Sequence, residues 1–113
     1  MFGTVARLRV KPGTEALLLA WGEAIMTTGR ANAAYWGWAG TTIYRCVDDP
    51  HSFWMTVLFD SEEAYRRNAE RPNQDTQYRR LRSCLEADPE WSDGHVVAVS
   101  TREISYIEPR SVV

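Results

Sequence analysis

The stretch GTTIYRCVDDPHSFWMTVLFDSEEAY, residues 40–65, decides the fold. Thr41 to Val47 is rich in residues that favour extended chain: Thr, Ile, Tyr and Val. Asp48-Asp49-Pro50 is turn chemistry, because an Asp carboxylate can accept from a nearby backbone amide and proline fixes φ. Ser52 to Phe59 is a second extended run. Its alternation sets Phe53, Met55, Val57 and Phe59 on one face and Trp54, Thr56 and Leu58 on the other. Asp60-Ser61-Glu62-Glu63 then opens a helix. Asp60 or Ser61 can accept from the free amides, Glu63 stands where a capping box with Asp60 needs it, and the acidic charges suit the positive helix end. A β-hairpin thus feeds directly into a helix.

Upstream, Phe2 to Val10 reads as the first strand, with Ala6, Leu8 and Val10 facing a core and Val5, Arg7 and Arg9 facing away. Lys11-Pro12-Gly13 ends it, and Thr14 is the expected N-cap of a helix from Glu15 to about Thr28. Leu17, Leu18, Trp21, Ala24 and Ile25 form its apolar stripe, and Gly29 is its expected stop. Residues 30–40 carry Tyr35, Trp36 and Trp38 beside small residues without a clear period, and read as a loop with a helical extension at its start. Downstream, the second helix runs from Ser61 to Glu70 or Arg71 and must end near Pro72. Asp75 can cap a third helical piece to about Ala87, with Tyr78, Leu81, Cys84 and Leu85 as its stripe. Trp91-Ser92-Asp93-Gly94 reads as a turn and Val96 to Ser100 as the fourth strand. Ile104, Tyr106 and Ile107 suggest a short fifth strand, suited to pairing with a neighbouring subunit.

The order β-α-β-β-α-(α)-β is the split βαβ, or ferredoxin-like, pattern: an α+β fold whose helices cover one face of an antiparallel sheet. The other face, with Trp54, Thr56 and Leu58, is too apolar to be simply wet. A second copy packed sheet to sheet would bury it, at roughly 25 cal/mol per Å² of apolar area, and a two-fold homodimer is the commonest such arrangement. A chain of 113 residues suits one domain, residues 1–113, with 101–113 as a C-terminal extension. Hydrophobic content of 44% and charged content of 25% are ordinary for a globular protein. A formal net charge of −2 without a basic block gives no support to nucleic-acid binding. Residues 1–30 lack a long apolar run and nothing approaches a membrane span, so the expected location is the cytoplasm, with no membrane partner. Cys46 and Cys84 read as free thiols.

The segments VARLRVKPGTEA, TTIYRCVDDPHSFWMTVLFDSEEAYRR and YRRLRSCL resemble the antibiotic-biosynthesis monooxygenase (ABM) family of the dimeric α+β barrel superfamily, over about residues 3 to 100. The marks are Lys11-Pro12-Gly13, the Asp49-Pro50 loop and the Phe59-Asp60-Ser61-Glu62-Glu63-Ala64 junction. They are turn and cap chemistry, so they specify backbone more than reaction. The resemblance implies a homodimer whose sheets close a barrel, with a ligand pocket in each subunit between helices and sheet. Relatives include cofactor-independent oxygenases of quinone-forming pathways, a quinol monooxygenase and haem-degrading enzymes. The haem branch uses an Asn on the first strand and a His on a helix beyond the hairpin. Here the first position is Ala6, and residues 61–87 hold no His.

The residues themselves narrow the chemistry. His51 and His95, the only histidines, have no ligand partner at a recognised spacing, so no metal is expected, and no cofactor motif is present. The sequence has no Gly-x-Ser-x-Gly run, and neither cysteine has an obvious His partner. Aromatics are the strongest signal. Trp36, Trp38, Tyr44, Trp54 and Phe59 are the candidates for binding a small apolar or aromatic ligand, whereas Trp21 and Tyr78 fit plain core. Tyr65 and Asn68, one helical turn apart, can orient a ligand oxygen. With His51 they are the candidate catalytic groups for deprotonating a phenol or hydroquinone that then reacts with O₂. The leading expectation is therefore a cofactor-independent monooxygenase of a small aromatic, quinol or polyketide-like compound. A non-catalytic or stress-associated binding dimer, and a non-oxidative isomerase or cyclase on the same barrel, stay open.

Overall fold

The structure, a computed structural model, describes residues 1–109. A four-stranded antiparallel sheet is formed by β1 (Phe2–Arg9), β2 (Trp38–Arg45), β3 (Ser52–Phe59) and β4 (Glu90–His95), in the order β2-β3-β1-β4. Helices α1 (Glu15–Ala31), α2 (Ala33–Trp36), α3 (Glu62–Ala69) and α4 (Gln74–Ser83) connect these strands. This is the ferredoxin-like α+β fold. Alternation does the sorting: on β1 and β3, Ala6, Leu8, Phe53 and Met55 are buried under the helices with Leu18, Trp21, Leu81, Cys84 and Leu85. Their neighbours Val5, Arg7 and Trp54 point to the other face.

Several local expectations give way to tertiary contacts. Thr14 precedes α1 but does not cap it with its side chain; its hydroxyl donates to the Lys11 and Cys84 carbonyls at 2.8 and 3.0 Å, tying the end of α4 to the start of α1. Leu17 and Ala24 are exposed, so the buried stripe of α1 is narrower than its apolar residues suggest. Gly29 lies inside α1, not at its end, and is buried: a Cβ there would come within 3.1 Å of the Trp38 indole. Its role is clearance. The chain turns instead at Gly37, whose φ of 69° ends α2. Ser61, not Asp60, caps α3, accepting from the Ala64 amide at 3.0 Å, while Glu62 and Glu63 pair with Arg66 and Arg67 one turn on. Asp75 lies within α4 and pairs with Arg79 at 2.7 Å; Asn73 precedes that helix without a side-chain cap.

β2 begins at Trp38, before the expected Thr41. Trp38 pairs with Phe59 and Gly40 with Leu58, so Ala39 is an extra residue in the ladder. Such a bulge reverses the alternation and turns Trp38 to the helix side, the face it shares with Thr41 and Ile43. The fourth strand is also displaced. Trp91-Ser92-Asp93-Gly94 is not a turn but the middle of β4, paired along β1 with Thr4 opposite Asp93 and Ala6 opposite Trp91. Backbone pairing to β1 outweighs the turn tendencies of Asp and Gly.

The segment beyond β4 forms a separate hairpin of β5 (Ala98–Ser100) and β6 (Ser105–Ile107). Thr101 holds its turn by accepting from the Glu103 and Ile104 amides at 3.2 and 2.9 Å. These strands pack mainly on each other, and Val97 and Ile107 are exposed. The radius of gyration of 15.0 Å reflects this arm, since a compact domain of such length has about 13 Å. The part of the C-terminal extension beyond residue 109 lies outside the described residues. Among those described, no helix is long and apolar enough to cross a membrane.

Candidate functional site

A cavity of about 530 Å³ lies between the helices and the inner face of the sheet. That is within the range of small-molecule sites, roughly 300–1,000 Å³. The glycines of α1 help to make room for its wall: a Cβ on Gly22 would meet Ile43 Cδ1 at 2.7 Å, and one on Gly29 would meet Trp38. Trp21, Trp36, Trp38, Phe59 and Trp91 bring aromatic surface to it. Two of these indoles are pinned through their nitrogens. Trp21 Nε1 donates to the Gln77 carbonyl at 3.1 Å and Trp38 Nε1 to Thr41 Oγ1 at 2.9 Å.

One polar cluster joins three elements on the cavity wall. From α3, the Tyr65 hydroxyl donates to Asp93 Oδ1 on β4 at 3.0 Å. From β1, the Thr4 hydroxyl donates to the same oxygen at 2.7 Å and approaches the Ser92 carbonyl at 3.3 Å. The strand register explains the meeting, because Thr4 and Asp93 are direct cross-strand partners. The Tyr65 ring is held by Phe2 and Phe59, at centroid distances of 5.1 and 5.5 Å. Burial, and then the hydrogen bond to Asp93 and its negative charge, push the Tyr65 hydroxyl above its ordinary value of 10.0. Tyr65 is therefore a neutral donor around neutral pH. Both hydroxyls bond Oδ1, and among the described residues Asp93 Oδ2 has no hydrogen-bond partner.

A second polar group lies further along α3. Asn68 Oδ1 accepts from Arg71 Nε at 2.8 Å, which fixes the amide and leaves its Nδ2 as donor. The Arg71 guanidinium lies over the Trp36 ring, 3.6 Å from its centroid, and burial lowers its pKa below the ordinary arginine value.

The sequence candidates divide between places. Tyr65, Asn68, Trp36, Trp38 and Phe59 all line the cavity. Tyr44 and Trp54 are cross-strand partners on the opposite, outer face of the sheet, where both are exposed. His51 sits exposed at the hairpin tip, its backbone amide donating to Asp49 Oδ1 at 3.0 Å; this bond is the largest cause that lowers the Asp49 pKa below 3.8. Tyr78, expected in the core, is exposed on α4 and touches the cavity. Sequence reasoning missed Thr4, Asp93, Trp91 and Arg71. Thr4 was within reach, because it continues the alternation of Ala6 and Leu8. Among the described residues no three His, Cys, Asp or Glu side chains gather as a metal-ligand set.

Solved structures share this architecture. A candidate antibiotic biosynthesis monooxygenase of Caulobacter crescentus CB15 superposes with a TM-score of 0.75 at 17% identity, covering 85% of this chain and 89% of its own. Rv0793 of Mycobacterium tuberculosis gives 0.73 at 16%, covering 88% and 98%. A candidate antibiotic biosynthesis monooxygenase of Chloroflexus aurantiacus J-10-fl gives 0.67 at 20%, covering 88% and 96%. No sequence-family profile and no curated protein matches the chain. The chain thus has the ferredoxin-like α+β fold seen in antibiotic biosynthesis monooxygenase structures.

Proposed function

We propose that the chain is one ABM-type domain and acts as a cofactor-independent monooxygenase on a small aromatic or quinol-like compound. The observation that carries this reading is the Tyr65–Asp93–Thr4 cluster in the wall of an aromatic-lined cavity. Asp93 Oδ2 is the base: it takes the proton of a substrate hydroxyl, while Thr4 and Tyr65 hold Oδ1 in place. Asn68 Nδ2 donates to the substrate oxygen as negative charge develops there. The electron-rich anion then reacts with O₂. For an anthrone-like CH₂ group, the ring carbon becomes a carbonyl and the second oxygen atom leaves as water. The substrate supplies all four electrons.

The working unit in this reading is a homodimer closed sheet to sheet. Val5, Tyr44 and Trp54 are exposed on the outer face, and the β5–β6 arm extends where a neighbouring subunit can receive it. Two free cysteines, Cys46 and Cys84, suit a reducing cytoplasm.

Oxygen uptake by metal-stripped protein over a panel of hydroquinones and anthrones tests the activity. The expected result is uptake by the wild type, at least about tenfold slower in Tyr65→Phe, and unchanged in His51→Ala. A wild type that consumes no oxygen with any compound, yet shows ligand-dependent Trp fluorescence, would replace the oxygenase by a binding protein.

A further inference from the structure

Among the described residues, Asp93 and Arg71 are the charged side chains in the cavity wall. The proposed chemistry uses Asp93 and leaves Arg71 without a task. Its surroundings, in the cavity wall and against an indole, set it apart from the arginines that pair with carboxylates. Arg9, Arg45, Arg66, Arg67, Arg79 and Arg82 each sit within ion-pair distance of a carboxylate. Arg71 has no such partner among the described residues. It is held by its face on Trp36, at 3.6 Å from the ring centroid, and by one nitrogen, Nε, on Asn68 Oδ1 at 2.8 Å. Both contacts fix the plane of the guanidinium and, among the described residues, leave its two Nη groups without a protein acceptor. Burial lowers its pKa below the ordinary arginine value, the mark of a partly desolvated cation, yet an arginine remains charged at neutral pH. A rigid, half-buried fork with two spare donors matches a carboxylate, which accepts two parallel hydrogen bonds.

The opposite charge gives the ligand a direction. A carboxylate placed against Asp93 would be repelled, whereas a hydroxyl there finds the free Oδ2 as acceptor. Tyr65 and Asn68 lie one turn apart on α3, and Arg71 follows two residues after that helix ends. Arg71 and Asp93 line the same cavity of about 530 Å³, within the range of small-molecule sites. We propose that the cavity takes a flat aromatic hydroxy acid, with its carboxylate on the Nη groups of Arg71 and its phenolic hydroxyl at Asp93 Oδ2. This rests on the cavity being the substrate site proposed above, and it names the class of substrate.

Binding tests it without turnover. Affinities of 6-hydroxy-2-naphthoate and 2-naphthol are measured by calorimetry under nitrogen, for wild type, Arg71→Gln and Arg71→Lys, with circular dichroism to confirm folding. The wild type is expected to prefer the acid by about tenfold, the ratio that one charge-assisted pair supplies. Arg71→Gln is expected to bring the two probes to within about twofold of each other, and Arg71→Lys, which lacks the planar fork, to cut the preference several-fold. Equal affinities in the wild type, an unchanged preference in Arg71→Gln, or binding of neither probe overturns the proposal. Should Arg71→Gln not fold, an unchanged preference in Arg71→Lys overturns it. Acid preference with no oxygen uptake would remove the oxygenase and keep the acid site. Uptake without acid preference would do the reverse.

Discussion

The two faces of the sheet are built from the same strands, and both carry aromatic side chains, but they solve different problems. On the inner face, successive rows pair Phe2 with His95, Thr4 with Asp93 and Ala6 with Trp91; the β1 members are buried under the helices, while their partners on the edge strand β4 are exposed. Its central polar cluster is specific, with Thr4 and Tyr65 both donating to Asp93 Oδ1. On the outer face, one row runs Tyr44, Trp54, Arg7, Glu90 and the next Thr42, Thr56, Val5, Ser92. The Thr42 and Thr56 hydroxyls bond each other across the strands, and the Arg7 guanidinium lies 5.5 Å from the Trp54 ring centroid. Among the described residues no helix covers this row, and Val5 is 39% exposed, Tyr44 58% and Trp54 41%. An aromatic residue is thus a ligand candidate on one face and an interface candidate on the other. Which face it takes depends on strand register, not on residue type.

The largest effect is expected on the outer face. Trp54→Lys would set a second cation beside Arg7 in the proposed sheet-to-sheet contact, at a cost of about 3–5 kcal/mol to the proposed dimer. Light scattering should then show a wild-type dimer and a mutant monomer that keeps its helices. A wild-type monomer, or a mutant dimer of unchanged strength, would break the division between the faces. Next comes the support of the inner face. Gly37 has φ of 69°, and a Cβ on it would lie 2.6 Å from Ala64 Cβ. Gly37→Ala should lower unfolding stability by about 1–3 kcal/mol in urea titration, without changing the mass of the assembly seen by light scattering. The smallest effect concerns Tyr65, whose folded pKa is raised above 10.0 by burial and Asp93. Folding favours its protonated form, so that contribution is complete below pH 10.0 and is lost as pH rises through the folded value. Wild-type stability should therefore fall more steeply than that of Tyr65→Phe above pH 10.0. Parallel curves would place Tyr65 in water.

What the sequence disclosed follows from the same contrast. The β2–β3 hairpin, both faces of β3 and the start of α3 were legible, because strict alternation and turn and cap residues are local signals. Tyr65 and Asn68 were legible as a pair because helical spacing puts them on one side. Trp38 was not. The bulge at Ala39 that turns it inward is a property of two paired strands, and residues 30–40 alone show no period. Gly29 looks like a stop until the Trp38 indole is seen against it. Asp93 was hidden in a Trp-Ser-Asp-Gly run that local chemistry reads as a turn; only its pairing with Thr4 makes it a wall of the cavity. Arg71, at the end of a helix rich in surface arginines, carries no local sign that it stacks on Trp36. Tyr44 and Trp54 were placed near a ligand by residue type, and the register sends them to the other face.

The central claim is that chemistry belongs to the inner cavity and its Asp93 carboxylate. The most direct test is the initial rate of oxygen uptake over anthrone by metal-stripped wild type, Asp93→Asn and Tyr44→Phe, all checked for the same fold and assembly. The account predicts a wild-type rate lost by about a hundredfold or more in Asp93→Asn, the usual contribution of a positioned general base, and a rate kept in Tyr44→Phe. Full activity in Asp93→Asn, or activity lost on removing only the outer-face hydroxyl of Tyr44, would contradict it.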